Sequence, residues 1–157
     1  MHLHQFQSKP NNENHPYPLI EITAEFEKAL NLLENSSSHL FITGKAGTGK
    51  STLLELFRNN TSKQVVILAP TGVAALNVKG QTMHSFFRFR PDITLDKVEK
   101  LQSDLIDIYQ QVDTIIIDEI SMVRADLLDC VDRFLQLNCK KKEKPFGGKQ
   151  MVFIGDL

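Results

Sequence analysis

The chain has 157 residues, of which 41% are hydrophobic and 24% charged, and its formal net charge is −1. This length suffices for one domain that buries roughly 68–70% of its unfolded surface. The near-neutral charge argues against a general polyanion binder, because such domains are strongly basic. There is no signal-peptide core and no apolar stretch of about 18 residues, which predicts a soluble, cytoplasmic protein without a membrane partner.

The first predicted elements are a flexible leader and an amphipathic helix. Residues 1–18 are rich in Asn, His, Gln and Pro and lack an apolar period. This composition predicts a leader that precedes one folded domain at 19–157. Four apolar side chains then recur at helical spacing after Thr23, the predicted N-cap. They are Phe26, Ala29, Leu30 and Leu33.

Strands and helices alternate along the rest of the chain. Apolar strands are predicted at 39–43, 65–69, 114–118 and 150–156. Helices are predicted at 51–57, at 72–78 with Gly80 closing it, and on two apolar faces: Val98, Leu101, Leu105 and Ile108, then Leu127, Leu128, Val131, Phe134 and Leu135. Four apolar strands separated by helices predict a parallel sheet covered by helices on both faces. The predicted fold class is α/β, with the chain stopping after the fourth apolar strand.

The most specific motif is FITGKAGTGKST, which contains G-x-x-x-x-G-K-[ST] between a predicted strand and a predicted helix. Glycines let successive backbone N–H groups turn toward phosphates, and the start of the helix adds its positive dipole end. Lys50 is predicted to reach the β- and γ-phosphates of ATP, and the Ser51 hydroxyl to bind Mg²⁺. The predicted nucleotide-binding residues are Gly44, Lys45, Ala46, Gly47, Thr48, Gly49, Lys50, Ser51 and Thr52.

Three acidic residues are predicted to complete this site from the carboxyl ends of two strands. Asp118 follows the apolar run TIII and is predicted to hold Mg²⁺, directly or through water. Glu119 is the candidate general base that activates the attacking water. Asp156, at the end of the last strand, is predicted to reach the same nucleotide. The alternative for Asp118 and Glu119 is that they only cap the following helix.

Three stretches in order, APTGVAALNVKGQTMHSFF, IIIDEISMV and PFGGKQMVFIGDL, resemble the Pif family of superfamily-one DNA helicases. The resemblance covers roughly residues 22–157. RecD-type helicases are also similar, but they usually carry a proline in the phosphate loop. The resemblance implies a RecA-like P-loop domain in which ATP hydrolysis drives five-prime to three-prime movement on single-stranded DNA.

The resemblance also implies which residues contact single-stranded DNA. They are Thr71, Gly72, Thr82, His84, Ser85 and Phe86. Hydroxyls and helix-start amides bind phosphates without reading the base sequence, and an exposed aromatic ring stacks on any base. The alternative is that Phe86 and Phe87 are core residues and that His84 is a packed histidine. Where the family commonly has a glutamine that reads adenine, this chain has Phe26, so its selectivity for ATP stays open.

Two features are interpreted as structural. Cys130 and Cys139 lack zinc-ligand spacing and are interpreted as reduced thiols. The KKKEK segment at 140–144 could contact DNA phosphates, but a solvated loop is the preferred interpretation.

Part of the family pattern is not found in this sequence. The resemblance places a γ-phosphate-sensing glutamine two residues beyond Leu157, and a second RecA-like domain that supplies an arginine finger. Such an arginine contributes about 10³–10⁵ in kcat, so the chain alone is expected to bind ATP but turn it over poorly. Three hypotheses follow: a helicase motor segment, a nucleotide- or single-strand-binding remnant without enzyme activity, and another P-loop ATPase that acts on a protein partner.

Overall fold

The computed structural model describes residues 23–45, 47 and 49–156, so the predicted leader lies outside the described residues. The strands are β1 Leu40–Thr43, β2 Val65–Ala69, β3 Gln81–Thr82, β4 Thr114–Ile117 and β5 Gln150–Gly155. The α-helices are α1 Ala24–Asn35, α2 Lys50–Asn60, α3 Gly72–Asn77, α4 Met83–Phe87, α5 Ser103–Gln111 and α6 Ala125–Asn138. Short 3₁₀ turns lie at Leu95–Lys97, Ile120–Met122 and Pro145–Gly148. Among the described helices, none is long and apolar enough to cross a membrane.

The five strands form one parallel sheet in the order β1-β5-β4-β2-β3. This confirms the predicted α/β class. The predicted count of four strands was short by one, because β3 has only two residues and no apolar pattern. Parallel strands reach the same sheet edge with their carboxyl ends, so the segments after β1, β2, β4 and β5 lie together there.

Both faces of the sheet are buried, as the apolar strands predicted. Ile115 and Ile117 of β4 pack into one core with α4, α5 and α6. Ile116 faces the opposite side and packs into a second core with α1 and α2. Because successive side chains of a strand point to opposite faces, an uninterrupted apolar strand is the pattern expected between two helical layers.

The helix predicted from Val98 to Ile108 was placed wrongly. Helix α5 begins only at Ser103, so Val98 and Leu101 pack from the segment before it. Ile108 is 57% exposed, while Tyr109 is 2% exposed and donates a hydrogen bond from its hydroxyl to the Phe86 carbonyl at 2.7 Å. The apolar spacing runs across the start of α5 and does not mark one face of a single helix. The buried face of α5 is therefore rotated relative to the face that this spacing predicted.

Gly80 closes α3 by close packing and not by a left-handed backbone. Lys79 is the residue with positive φ, at 51°, and the Gly80 amide donates to the Ala75 carbonyl at 2.8 Å. A Cβ on Gly80 would lie 2.3 Å from the Ile67 carbonyl oxygen in β2. The position of the glycine was therefore predicted correctly. Glycine is needed there because the neighbouring strand β2 leaves no room for a Cβ.

Gly80→Ala is expected to lower the free energy of unfolding by about 3 kcal/mol, because the clashing atom belongs to the backbone of a paired strand and cannot rotate away. For a chain of this size, that corresponds to a Tm lower by about 6–12 °C in thermal denaturation. Gly72→Ala is the matched control, since a Cβ there meets nothing within 4 Å. Equal losses in both variants would contradict the close-approach explanation.

Candidate nucleotide site

The phosphate loop connects β1 to α2, as the motif predicted, with Ala46 and Thr48 outside the described residues. Gly47 and Gly49 have φ values of 82° and 88°, a left-handed conformation that glycine adopts without steric cost. Gly49 is the N-cap of α2, and no described side chain accepts from the first amides of that helix. These amides and the helix dipole form an anion-binding helix start.

Lys50 joins the loop to the end of β5. Its ammonium group donates to the Gly44 carbonyl, to the Lys45 carbonyl at 3.2 Å, and to Asp156 Oδ1 at 2.6 Å. The Lys50 side chain is 19% exposed and that of Asp156 is 56% exposed. The contact follows from sheet order, because β1 and β5 are neighbours and Thr43 is in register with Gly155.

A cleft of about 410 Å³ brings the predicted site residues together. It is lined by Gly47, Gly49, Lys50, Ser51, Thr52, Leu54, Asp118, Glu119, Gly155 and Asp156. Seven of these were predicted for the nucleotide or metal in separate segments of sequence, and Glu119 was predicted as the base. Ser51 and Glu119 are exposed, while Asp118 is half-buried. The cleft thus combines anion-binding amides, one lysine and three carboxylates.

The carboxylates of Asp118 and Glu119 do not cap a helix. Glu119 is the N-cap residue of the 3₁₀ turn Ile120–Met122, but its side chain accepts no cap hydrogen bond, and α6 begins only at Ala125 with Arg124 as its N-cap. The Asp118 amide donates to the Leu68 carbonyl at 2.9 Å, which fixes the acid to the end of β2. Glu119 has φ 52° and ψ 43°, a conformation that is uncommon and costly for a residue other than glycine.

The residues predicted for DNA divide into exposed and buried ones. Thr71 and Thr82 are N-caps, whose hydroxyls accept from the Ala74 amide at 3.2 Å and the Ser85 amide at 3.1 Å. Each hydroxyl keeps its own proton for donation. Gly72 and Ser85 are exposed and His84 is half-buried. These groups therefore remain candidates for phosphate contacts.

Phe86 is not one of them, and its prediction as a stacking ring was wrong. The ring is 7% exposed and lies edge-on to Phe87 and Tyr109, with centroids 5.0 and 5.2 Å away. Helix α4 is only five residues long and turns both phenylalanines into the core, where burial of an aromatic ring is strongly favourable. The core alternative for Phe86 and Phe87 is confirmed.

Two surfaces near the cleft carry apolar groups that the sequence interpretation missed or left open. The Phe26 ring packs against the loop, since its Cε2 lies 3.7 Å from the position of a Cβ on Gly49. It lines a second cleft of about 520 Å³ together with Phe41 of the edge strand β1. On α3, Val73 and Leu76 are 73% and 79% exposed. Their spacing fits a buried helical face, so this exposure could not be predicted from the sequence.

A strand–loop–helix phosphate site, a lysine at the helix start and acids at the ends of adjacent parallel strands together define a P-loop NTPase. Within that class, residues 21–157 match the PIF1-like helicase family. The chain belongs to this family, which confirms the resemblance seen in its three motifs.

Individual relatives agree with the family match. The chain is 36% identical over 155 residues to the ATP-dependent DNA helicase RRM3 of Saccharomyces cerevisiae, covering 93% of this chain and 21% of that protein. It is 36% identical over 147 residues to Pif1 of Bdellovibrio bacteriovorus, covering 90% of this chain and 33% of that one. The chain therefore spans about a third or less of the relatives it matches.

Solved structures give the same result for the fold. Pif1 from Bacteroides, crystallised with ADP-AlF3 and single-stranded DNA, superposes with a TM-score of 0.77 at 39% identity, over 87% of this chain and 32% of that one. Pif1 from Candida albicans superposes with a TM-score of 0.66 at 34% identity, over 88% of this chain and 33% of that one. The fold is thus that of part of a Pif1 RecA-like domain.

Proposed function

We propose that this chain is the ATP-binding motor segment of a DNA helicase, which couples ATP hydrolysis to movement along single-stranded DNA. The observation that carries the proposal is the cleft, because it places the phosphate loop, Lys50, Ser51 and the acids of β4 and β5 around one space. Family membership supports the DNA-dependent part of the activity. Such a protein would work in the compartment that holds DNA.

The donor set of the cleft fits Mg²⁺. The Ser51 hydroxyl and the Asp118 carboxylate are hard oxygen ligands, and Mg²⁺ keeps several waters when few protein ligands hold it. No group of three or more His, Cys, Asp or Glu side chains among the described residues forms a metal site of its own. That arrangement suits a metal bound jointly by the protein and the nucleotide, where it would neutralise charge on the β- and γ-phosphates.

The protein's own groups have distinct roles in this proposal. The loop amides and Lys50 bind and orient the phosphates. When the phosphates bind, Lys50 leaves Asp156 and contacts them instead. Glu119 takes the proton of the attacking water, and Asp118 holds the metal side of the site. Between one round of ATP hydrolysis and the next, Asp156 holds Lys50 at the end of β5. The arginine finger and the γ-phosphate-sensing glutamine remain expectations from the family.

We propose that single-stranded DNA binds along Thr71, Gly72, Thr82 and His84, which lie at or just after the ends of β2 and β3, near the same sheet edge as the cleft. Relatives support this, since one Bacteroides Pif1 structure is described as bound to single-stranded DNA. Phosphates would accept hydrogen bonds from the Thr71 and Thr82 hydroxyls and from the start of α3. Because Phe86 is buried and cannot stack on a base, this chain would contact single-stranded DNA through the phosphate backbone of the DNA alone.

Combining Thr71→Ala with His84→Ala is expected to weaken single-strand binding by about tenfold, because two polar contacts are lost at about 0.5–1.5 kcal/mol each. Fluorescence anisotropy with a labelled oligonucleotide measures the loss. Thr71→Ala also removes a helix cap, so Thr23→Ala is the matched control: Thr23 caps α1 in the same way, with the Phe26 amide at 3.3 Å.

An unchanged affinity in the double variant would remove DNA binding from this surface. Stimulation of ATP hydrolysis by single-stranded DNA, measured in the longest natural chain that contains this sequence, separates the helicase from the two alternatives. Strong stimulation supports the motor. Hydrolysis without stimulation favours an ATPase that acts on a protein partner, and no hydrolysis favours a binding remnant.

A further inference from the structure

The strongest concentration of positive charge lies between α6 and β5, at the sheet edge opposite the nucleotide cleft. Residues 140–149, KKKEKPFGGK, contain five lysines and one glutamate, a net charge of +4 on a chain whose total is −1. The rest of the chain therefore carries −5. Since β5 has six residues at about 3.3 Å each, this segment is about 20 Å from the cleft.

The lysines of this segment have not been neutralised within the structure. Lys140, Lys141, Lys142 and Lys144 are exposed, and none forms an ion pair with a carboxylate of the described residues. Lys149 is half-buried and donates to the Gln110 carbonyl at 2.9 Å. Burial lowers the pKa of Lys149, and the nearby Lys141 and Lys140 lower it further against the opposite effects of Cys139 and Asp113. The four exposed lysines therefore carry positive charge that no ion pair among the described residues offsets, and that a bound anion would offset.

Residues 140–144 form the exposed, solvated loop that the sequence predicted, while the following Phe146 and Gly147 are held against α6. The Phe146 amide donates to Asp132 Oδ1 of α6 at 2.5 Å. Gly147 packs so closely on α6 that a Cβ would lie 2.6 Å from the Leu135 carbonyl oxygen. This attachment to α6 limits where the lysines on either side of it can lie, which reduces the conformational entropy lost when a ligand binds.

Two clefts meet at Lys141 and form one groove across the amino ends of the strands. One has a volume of about 230 Å³ and the other about 540 Å³, and both are lined by Asp113, Lys141 and Gly148. The two carboxylates that face the groove have partners inside the protein. Asp113 accepts from the Gln64 amide at 2.8 Å, and Glu34 accepts from Ser62 Oγ at 3.1 Å and from Thr61.

We propose that this lysine groove, lined by Lys140, Lys141 and Lys149 and flanked in sequence by Lys142 and Lys144, binds the phosphate backbone of a nucleic acid at a second site separate from the nucleotide cleft. Lysine is suited to phosphates as a point charge, and a row of them contacts a backbone without reading its sequence. The groove has no cluster of exposed apolar side chains of the kind that inserts into a membrane surface. The inference rests on the proposed function in taking nucleic acid as the partner.

The test measures binding of a labelled 20-base-pair duplex, and of a single strand of the same length, to the whole chain at several salt concentrations. Lys140→Gln combined with Lys141→Gln should lower the slope of log Kd against log salt by about 1.8 for duplex or about 1.4 for single strand. Lys28→Gln with Lys100→Gln is the matched control, because it removes two exposed lysines elsewhere. Glu143→Gln should tighten binding.

The slope change must persist in the Thr71→Ala and His84→Ala background, which distinguishes this site from the proposed strand path. ATP affinity must be unchanged in the lysine variant, which shows that the fold and the cleft are intact. An equal slope in the lysine variant and the parent overturns the proposal, as does an equal loss in the control. If the lysine variant loses binding to phosphatidylserine vesicles but keeps its DNA binding, the groove is assigned to a membrane surface, and the proposal is overturned as well.

Discussion

Replacing Lys50 with alanine is expected to weaken ATP binding by about 100-fold or more. The lysine is predicted to contact two phosphates, and hydrogen bonds to charged groups contribute about 1.5–3 kcal/mol each. The ammonium group also holds the Gly44 and Lys45 carbonyls and Asp156, so the variant loses the connection between β1 and β5 as well. Isothermal titration calorimetry with a non-hydrolysable ATP analogue and Mg²⁺ measures the affinity.

Two controls separate lost phosphate contacts from a disordered loop. Lys100→Ala removes an exposed lysine away from the cleft and should leave affinity unchanged. Asp156→Asn breaks only the ion pair with Lys50. An exposed pair contributes about 0.2–1 kcal/mol, so the change should stay within about fivefold. If Lys50→Ala binds ATP as tightly as the parent, the cleft is not the nucleotide site.

The elements that the sequence predicted well are those whose pattern follows directly from burial. The uninterrupted run TIII is buried in all four residues, because β4 lies between two helical layers. Helix α1 begins after its predicted cap, where the Thr23 hydroxyl accepts from Phe26. By contrast, β3 is held by its pairing with β2 and not by apolar side chains, so its two polar residues gave no signal.

The site could be predicted because its motifs encode backbone geometry and strand ends. Gly47 and Gly49 of the phosphate loop have positive φ, and Asp118 and Asp156 each follow a buried strand. What the sequence did not determine is which way side chains turn in short helices. In α4, one turn decides that Phe86 enters the core while Ser85 stays exposed. The lysine loop at 140–144 is exposed, as its charge predicted, but the contacts of Phe146 and Gly147 with α6 had no signal in the sequence.

Glu119→Gln is expected to keep ATP affinity within about twofold of the parent while hydrolysis falls by about 10²–10⁴-fold, the usual contribution of a general base. Glutamine has the same shape but accepts no proton, and the backbone at 119 is unchanged. Single-turnover hydrolysis in the longest natural chain, together with calorimetry on this chain, gives the two quantities. Normal hydrolysis by the glutamine variant would remove Glu119 from the role of base.

The backbone at Glu119 supplies a second, independent measurement. A residue with a side chain costs roughly 1–2 kcal/mol in the left-handed region, and glycine avoids that cost while losing about 0.5–1 kcal/mol of its own in entropy. Glu119→Gly should therefore raise the free energy of unfolding by about 0.5–1 kcal/mol while abolishing hydrolysis. Ser121→Gly is the control, since it removes a neighbouring side chain at a residue without positive φ and should lower stability. A gain in stability with a loss of turnover would mean that the carboxylate is kept at this position for chemistry and not for folding; a loss of stability would mean that the left-handed backbone at 119 is not strained.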